Sequence, residues 1–81
     1  MATIMYGTKN CPDVRAALAY IAEKGLDIEF KDFDISVKNL KEFILLRDRR
    51  PEFDMKKANG FVGIPCFRTE DDKIVFDIRD I

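Results

Sequence analysis

Two short strand-like runs on either side of a segment with helical period restrict the fold most. The run ATIMY, Ala2–Tyr6, is ended by a glycine, and its length indicates a buried strand. Apolar residues then recur at helical spacing, which predicts a helix over about Pro12–Lys24. In LDIEFKDFDI, Ile28 and Phe30 alternate with charged residues, as in a half-buried strand. This order predicts a parallel, right-handed strand-helix-strand unit.

The second half of the chain predicts a helix followed by a hairpin. Ser36 is a candidate N-cap, an amphipathic pattern follows it, and Pro51 ends the helix. PEFDMKKANG adds a further turn or two. FVGIPCFRTE reads as a strand containing Pro65, EDDK as a turn, KIVFDI as the returning strand, and DIRDI as at most one helical turn. The prediction is an α/β domain over residues 1–81, with the order β-α-β-α-β-β and a four-stranded mixed sheet.

Composition and charge exclude several classes of protein. The 81 residues suit one domain, and 47% hydrophobic with 36% charged residues is a soluble, globular balance. A net charge of −1 does not fit a nucleic-acid binder. We interpret the cluster of Arg47, Arg49 and Arg50 as a solvated helix end. No apolar run approaches the ~20 residues that span a bilayer, and the start is not a signal peptide.

The cysteine and histidine content narrows the chemistry. Two cysteines are too few for a secreted disulfide scaffold, so we expect a reducing, cytoplasmic setting. The absence of histidine excludes a histidine base and histidine metal ligands, and we expect no metal site and no bound cofactor.

Cys11 is the candidate nucleophile. It stands at the predicted N-cap, where unpaired N–H groups favour a thiolate. Lys9 and Arg15 add positive potential and Asp13 opposes them, an arrangement that suits a thiol attacking a disulfide. The alternative is a small, buried apolar cysteine.

For Pro65 the alternatives are a cis bond that exposes the backbone of the preceding residue to a peptide, and an ordinary trans loop proline.

Cys11-Pro12 at the first strand-helix junction and Ile64-Pro65 before the third strand together resemble glutaredoxins, of the thioredoxin-like superfamily. The likeness covers Ala2 to about Asp77 and is greatest to small bacterial glutaredoxin-related proteins.

The resemblance implies roles for particular residues. Cys11 matches the nucleophile, Pro65 the cis-proline beside it, and Ile64 the residue whose backbone pairs with bound glutathione. Lys9 approximates the basic residue that holds a glutathione carboxylate. Asp77 matches the start of the last helix, where the γ-glutamyl end binds, and Pro12 joins the substrate-binding set.

The chain also departs from that family. Val14 replaces the second thiol, Val75 and Phe76 replace a Gly-Gly pair, and the last helix is vestigial. Cys11 with Arg15 also resembles the opening of arsenate reductase and related regulators, which are longer.

Two functions follow as alternatives. The first is a thiol-disulfide oxidoreductase that uses Cys11 alone, with glutathione as co-substrate, glutathione or protein mixed disulfides as partners, and a monomeric state. The second is a non-catalytic binding module on the same fold.

Cys66 is either a core residue or a resolving thiol; alternation along a strand turns it away from Cys11.

Overall fold

Four strands form one mixed sheet in residues 2–81, the part of the chain that this computed structural model describes. They are β1 (Thr3–Gly7), β2 (Ile28–Asp32), β3 (Cys66–Arg68) and β4 (Ile74–Val75). Their order in the sheet is β2-β1-β3-β4. β1 and β2 are parallel, whereas β3 is antiparallel to both β1 and β4. The predicted α/β class, parallel first unit and antiparallel hairpin are confirmed.

Three α-helices and two short 3-10 turns complete this part of the chain. The helices are α1 (Pro12–Lys24), α2 (Val37–Arg49) and α3 (Asp54–Ala58), and the 3-10 turns are Pro51–Phe53 and Ile78–Asp80. The bounds of α1 and the single turn at the C-terminal end agree with the sequence prediction. No helix within residues 2–81 combines the length and the apolar character needed to cross a bilayer.

Three local predictions need correction. Pro65 precedes β3 instead of lying within it, because proline has no N–H to donate to a strand ladder. The returning strand is only two residues long. Ser36 occupies the N-cap of α2, but its side chain caps nothing. The N–H of Asn39, which a serine cap would bind, donates instead to the Ser36 carbonyl at 3.1 Å.

The sheet separates two apolar clusters. Alternation along the strands causes this, because the register partners Met5 and Phe67 face one side, and Tyr6 and Cys66 face the other. The cluster under α1 consists of Met5, Val14, Ala17, Phe67 and Ile78. The cluster under α2 consists of Tyr6, Phe43, Leu46, Phe53 and Cys66. The domain therefore has three layers, with helices on both faces of the sheet.

A buried tyrosine links the sheet to α2. The Tyr6 hydroxyl donates to Glu42 at 2.5 Å, and the Lys31 ammonium donates to the same carboxylate at 3.0 Å. Burial raises the pKa of Tyr6, which keeps the donor neutral. The hydrogen bonds from Tyr6 and Lys31 hold the pKa of Glu42 below its usual range.

Replacing Glu42 with glutamine tests this network. We expect Glu42→Gln to lose about 0.5–1 kcal/mol of unfolding free energy at neutral pH, because the carboxylate is half-exposed. The lowered pKa means that the contribution is complete above the ordinary value of 4.5 and is lost as the pH falls through the lowered value. The difference between native and variant should therefore shrink in acid.

Urea denaturation at a series of pH values measures this difference. Glu29→Gln, at an exposed position of β2, is the control. A stability gap for Glu42→Gln that stays constant from neutral to acid pH would contradict the ionic part of the network.

Candidate functional site

Cys11 stands at the N-cap of α1 and is half-buried. Its N–H donates to the Thr8 carbonyl at 3.1 Å, and its own carbonyl accepts the first helical hydrogen bond from Arg15, also at 3.1 Å. Its side chain packs against the cluster under α1. Cys11 is thus neither a fully buried core residue nor a freely rotating surface thiol.

Asp34, which the sequence reasoning missed, fixes the turn in front of Cys11. The Thr8 hydroxyl donates to its carboxylate at 2.8 Å, and the Lys9 N–H donates to it at 3.1 Å. The side chain of Asn10 also donates to it, at 3.5 Å. An aspartate shortly after the second strand of a parallel pair was the available signal, because both strands of such a pair end at the same edge of the sheet.

A hollow of about 420 Å³ lies in front of Cys11, and we call it the cysteine hollow. Its walls come from the start of α1, from Lys56 of α3 and from the loop before β3. The lining residues are Cys11, Asp13, Lys56, Phe61, Val62, Gly63 and Ile64. Phe61 and Val62 are 59% and 56% exposed, so this wall offers apolar surface beside the thiol.

A second hollow of about 440 Å³, the adjoining hollow, continues along α1. It shares Asp13, Lys56 and Ile64 with the cysteine hollow. Its other lining residues lie on α1, beside Ile64 and near the C-terminal end: Ala16, Ala17, Tyr20, Pro65, Phe76, Asp77, Ile78 and Arg79. The two hollows together are called the groove. Cys11 lines one of them, Pro65 and Asp77 line the other, and Ile64 lines both; the Ile64–Pro65 peptide bond is cis.

The structure does not bring three predicted site residues into either hollow. Lys9, Pro12 and Arg15 are exposed and line neither one. The Arg15 guanidinium donates to the carbonyl of Lys9 at 2.7 Å, which ties this side chain to the turn before α1. The positive side chain facing both hollows is instead Lys56.

Lys56 is half-buried between two aromatic rings. Its ammonium lies 4.9 Å from the Phe76 ring centroid and 5.8 Å from that of Phe61. In residues 2–81 no carboxylate pairs with it, although the next residue, Lys57, has Asp54 at 3.9 Å. Sequence patterns do not predict this position for Lys56, since a lysine on a short helix is usually solvated.

Asp77 begins the C-terminal 3-10 turn, where its carboxylate accepts from the Arg79 N–H at 2.9 Å. The Arg79 guanidinium also binds this carboxylate, at 2.6 Å. These hydrogen bonds lower the pKa of Asp77 to about 2. Asp77 is therefore a carboxylate that already has a cation.

The interpretation of the arginine cluster as a solvated helix end is wrong for two of its members. Arg47 donates to the carbonyls of Val62 at 2.8 Å and of Phe61 at 3.0 Å, and so ties α2 to the wall of the cysteine hollow. Arg50 pairs with Glu52 at 2.8 Å. Arg49 is exposed, as predicted.

Val14, at the position where the resemblance would place a second thiol, is fully buried. It packs so closely on β1 that a Cβ at Gly7 would lie 2.7 Å from the Val14 Cγ2. The position is a core contact between α1 and β1.

Cys66 is fully buried in the cluster under α2, on the other side of the sheet from the cluster that Cys11 contacts. Burial raises its pKa to about 12, so its thiol stays protonated near neutral pH. In residues 2–81 no group of three or more His, Cys, Asp or Glu side chains could hold a metal ion.

The fold and site define a small α/β protein with one accessible thiol at a helix N-terminus. The chain is 37% identical to an uncharacterized protein of Haemophilus influenzae over 78 residues, which cover 96% of this chain and 91% of that protein. It therefore belongs to the same family as that protein. No protein-family model matches the chain. No solved structure matches it either.

Replacing Gly7 tests the contact that seats α1. We expect Gly7→Ala to lose about 1–3 kcal/mol of unfolding free energy, because the added methyl meets a rigid, buried Val14. The double variant Gly7→Ala/Val14→Ala should lose less than the sum of the two single losses, since the shorter side chain makes room. Urea denaturation of all four proteins measures the coupling, and strict additivity would contradict it.

Replacing Arg47 tests the wall of the cysteine hollow. We expect Arg47→Gln to speed hydrogen exchange at the backbone amides of residues 59–64, because two hydrogen bonds from a charged donor are lost. Mass spectrometry of peptides after exchange measures this. The control is Arg49→Gln, two residues further along the same helix and exposed, which should exchange like the native protein. Equal exchange in both variants would show that Arg47 does not hold the loop.

Proposed function

We propose that the protein is a glutaredoxin-like thiol-disulfide oxidoreductase that acts through Cys11 by a one-thiol mechanism. The observation that carries the proposal is the position of Cys11: a half-buried thiol at a helix N-terminus that opens into a hollow. Backbone N–H groups in the first turn of a helix have no partner within the helix, and they favour an anionic group beside them. Ile64 and Pro65, which line the adjoining hollow, match the positions at which glutaredoxins receive a substrate.

The proposed reaction has two exchanges. The Cys11 thiolate attacks a mixed disulfide between a protein and glutathione, takes up the glutathione, and releases the protein thiolate. A second glutathione thiolate then attacks the Cys11 adduct and leaves with the first as glutathione disulfide. Neither exchange uses a second protein thiol, which agrees with Val14 in the core and Cys66 beyond the sheet.

The finer assignments belong to the same proposal. We assign the fold to the thioredoxin-like class, because a parallel strand-helix-strand unit is followed by a helix and an antiparallel hairpin. The protein works as a monomer in the cytoplasm, where glutathione keeps such thiols reduced. Glutathione is a co-substrate that binds transiently, and there is no resident cofactor.

The alternative, a non-catalytic binding module, has one observation in its favour. Phe76, where the related proteins have a Gly-Gly pair, packs against Phe53 with ring centroids 5.1 Å apart and lies under the Lys56 ammonium. Its side chain therefore occupies space at the edge of the adjoining hollow. A module of this kind would keep all its binding after Cys11→Ser.

Intact-mass spectrometry after brief exposure to glutathione disulfide tests the proposal. At about pH 6, where an ordinary thiol is mostly protonated, we expect one glutathione to add to Cys11 at least about tenfold faster than to a neutral reference thiol, N-acetylcysteine amide. Cys66→Ser should react as the native protein does, and Cys11→Ser should not react. Turnover of a glutathionylated peptide, with glutathione and its reductase present, then tests the second exchange.

Reaction only at alkaline pH, or equal labelling of the two cysteines, would overturn the redox proposal. Denatured protein is the control for equal labelling, since both thiols are accessible in it. Rapid labelling of Cys11 without turnover of the peptide would favour the binding module.

A further inference from the structure

Lys56 is a cation without a partner at the point where the two hollows meet. It lines both of them, is half-buried, and has aromatic rings instead of carboxylates as neighbours. In the described residues no ion pair or hydrogen bond involves its ammonium group. Since partial burial strips water from an ammonium, an anionic group entering the groove gains more there than at the open surface.

Asp13 is a complementary anion on the opposite wall. It also lines both hollows, and it lies in the first turn of α1, two residues beyond Cys11. Within residues 2–81 its carboxylate has no hydrogen-bond or ion-pair partner, and it does not pair with Lys56. Asp77, the other carboxylate of the groove, is already neutralised by Arg79.

We propose that this pair of unpartnered charges selects disulfides that carry both an ammonium and a carboxylate, with Lys56 receiving the carboxylate and Asp13 the ammonium. The inference rests on the proposed function and names its substrate class: amino-acid and peptide disulfides, of which cystine is the simplest. The apolar wall of Phe61 and Val62 then contacts the methylene and sulfur atoms between the charges.

The first step is a disulfide exchange with no net oxidation. The Cys11 thiolate attacks one sulfur of the disulfide, a bond forms between the two sulfurs, and the original sulfur–sulfur bond breaks. The leaving thiolate takes a proton from water. An external thiol such as glutathione later reduces the adduct by the same exchange.

Four small disulfides test the contributions of Lys56 and Asp13 separately. Cystine carries both, 3,3′-dithiodipropionate carries only carboxylates, cystamine carries only ammonium groups, and bis(2-hydroxyethyl) disulfide is neutral. Rates of adduct formation at Cys11 are followed by intact mass in a Cys66→Ser background. Each rate is divided by that of N-acetylcysteine amide with the same disulfide, and then by the value for the neutral disulfide, which removes general changes in thiol reactivity.

We expect Lys56→Gln to lower the normalised rates with cystine and dithiodipropionate about two- to fivefold, the size of a partly exposed ion pair, relative to the rate with cystamine. Asp13→Asn should lower those with cystine and cystamine by a similar factor relative to the rate with dithiodipropionate. Lys56→Arg should retain the native pattern, since it keeps the charge. The matched controls are Lys57→Gln, next to Lys56 on α3, and Glu23→Gln, near the other end of α1; both residues are exposed and line neither hollow.

The outcomes separate this inference from the proposed function. Fast reaction of Cys11 with all four disulfides, in a pattern that neither Lys56→Gln nor Asp13→Asn changes, would overturn the charge selectivity and leave the oxidoreductase intact. Reaction no faster than the reference thiol with the neutral disulfide, and with the others, would overturn the proposed function first. Glutathione disulfide is tested beside cystine to distinguish a peptide source from an amino-acid source. The source is the one that reacts faster with the native protein and loses that advantage in Lys56→Gln and Asp13→Asn.

Discussion

The contact between Gly7 and Val14 determines where the thiol lies. Because Gly7 has no side chain, the first turn of α1 packs directly on the end of β1. This close approach places the N-terminus of α1 near the end of β1 and leaves Cys11 lining the cysteine hollow. A larger residue at position 7 would push the helix outward, and the hydrogen bonds of the Thr8–Asn10 turn to Asp34 would lose their geometry.

The site joins two distant parts of the chain. The thiol comes from the first strand-helix junction, whereas the facing wall comes from the loop before β3. That loop is held by Arg47 from α2, and it is tightly packed: a Cβ at Gly63, whose φ is +95°, would lie 3.0 Å from the Phe53 ring. The core under α2 therefore helps to shape the groove, because Ile64 of the same loop packs against both apolar clusters and lines both hollows.

The sequence predicted the order of elements and the position of Cys11 because local patterns carry that information. Helical spacing, alternation and a proline after the cysteine are all short-range signals. The sequence could not show that Lys56 lines the cysteine hollow and Lys9 does not, since this depends on how α3 and the loop pack in three dimensions. The same limit applies to Arg47: its pattern fits a solvated helix end, and only tertiary contact reveals the carbonyls it binds. Ser36 shows a smaller failure, because a cap residue was present but the backbone took the hydrogen bond.

Because Cys66 is fully buried, its chemical modification reports unfolding of the protein. A fully buried, protonated thiol reacts with nothing until the core under α2 opens. A molecule modified at Cys66 therefore reacted while its core was exposed, whereas Cys11 can be modified in the folded protein. Modification of Cys11 thus reports a reaction of the folded protein, whereas modification of Cys66 reports opening of the core.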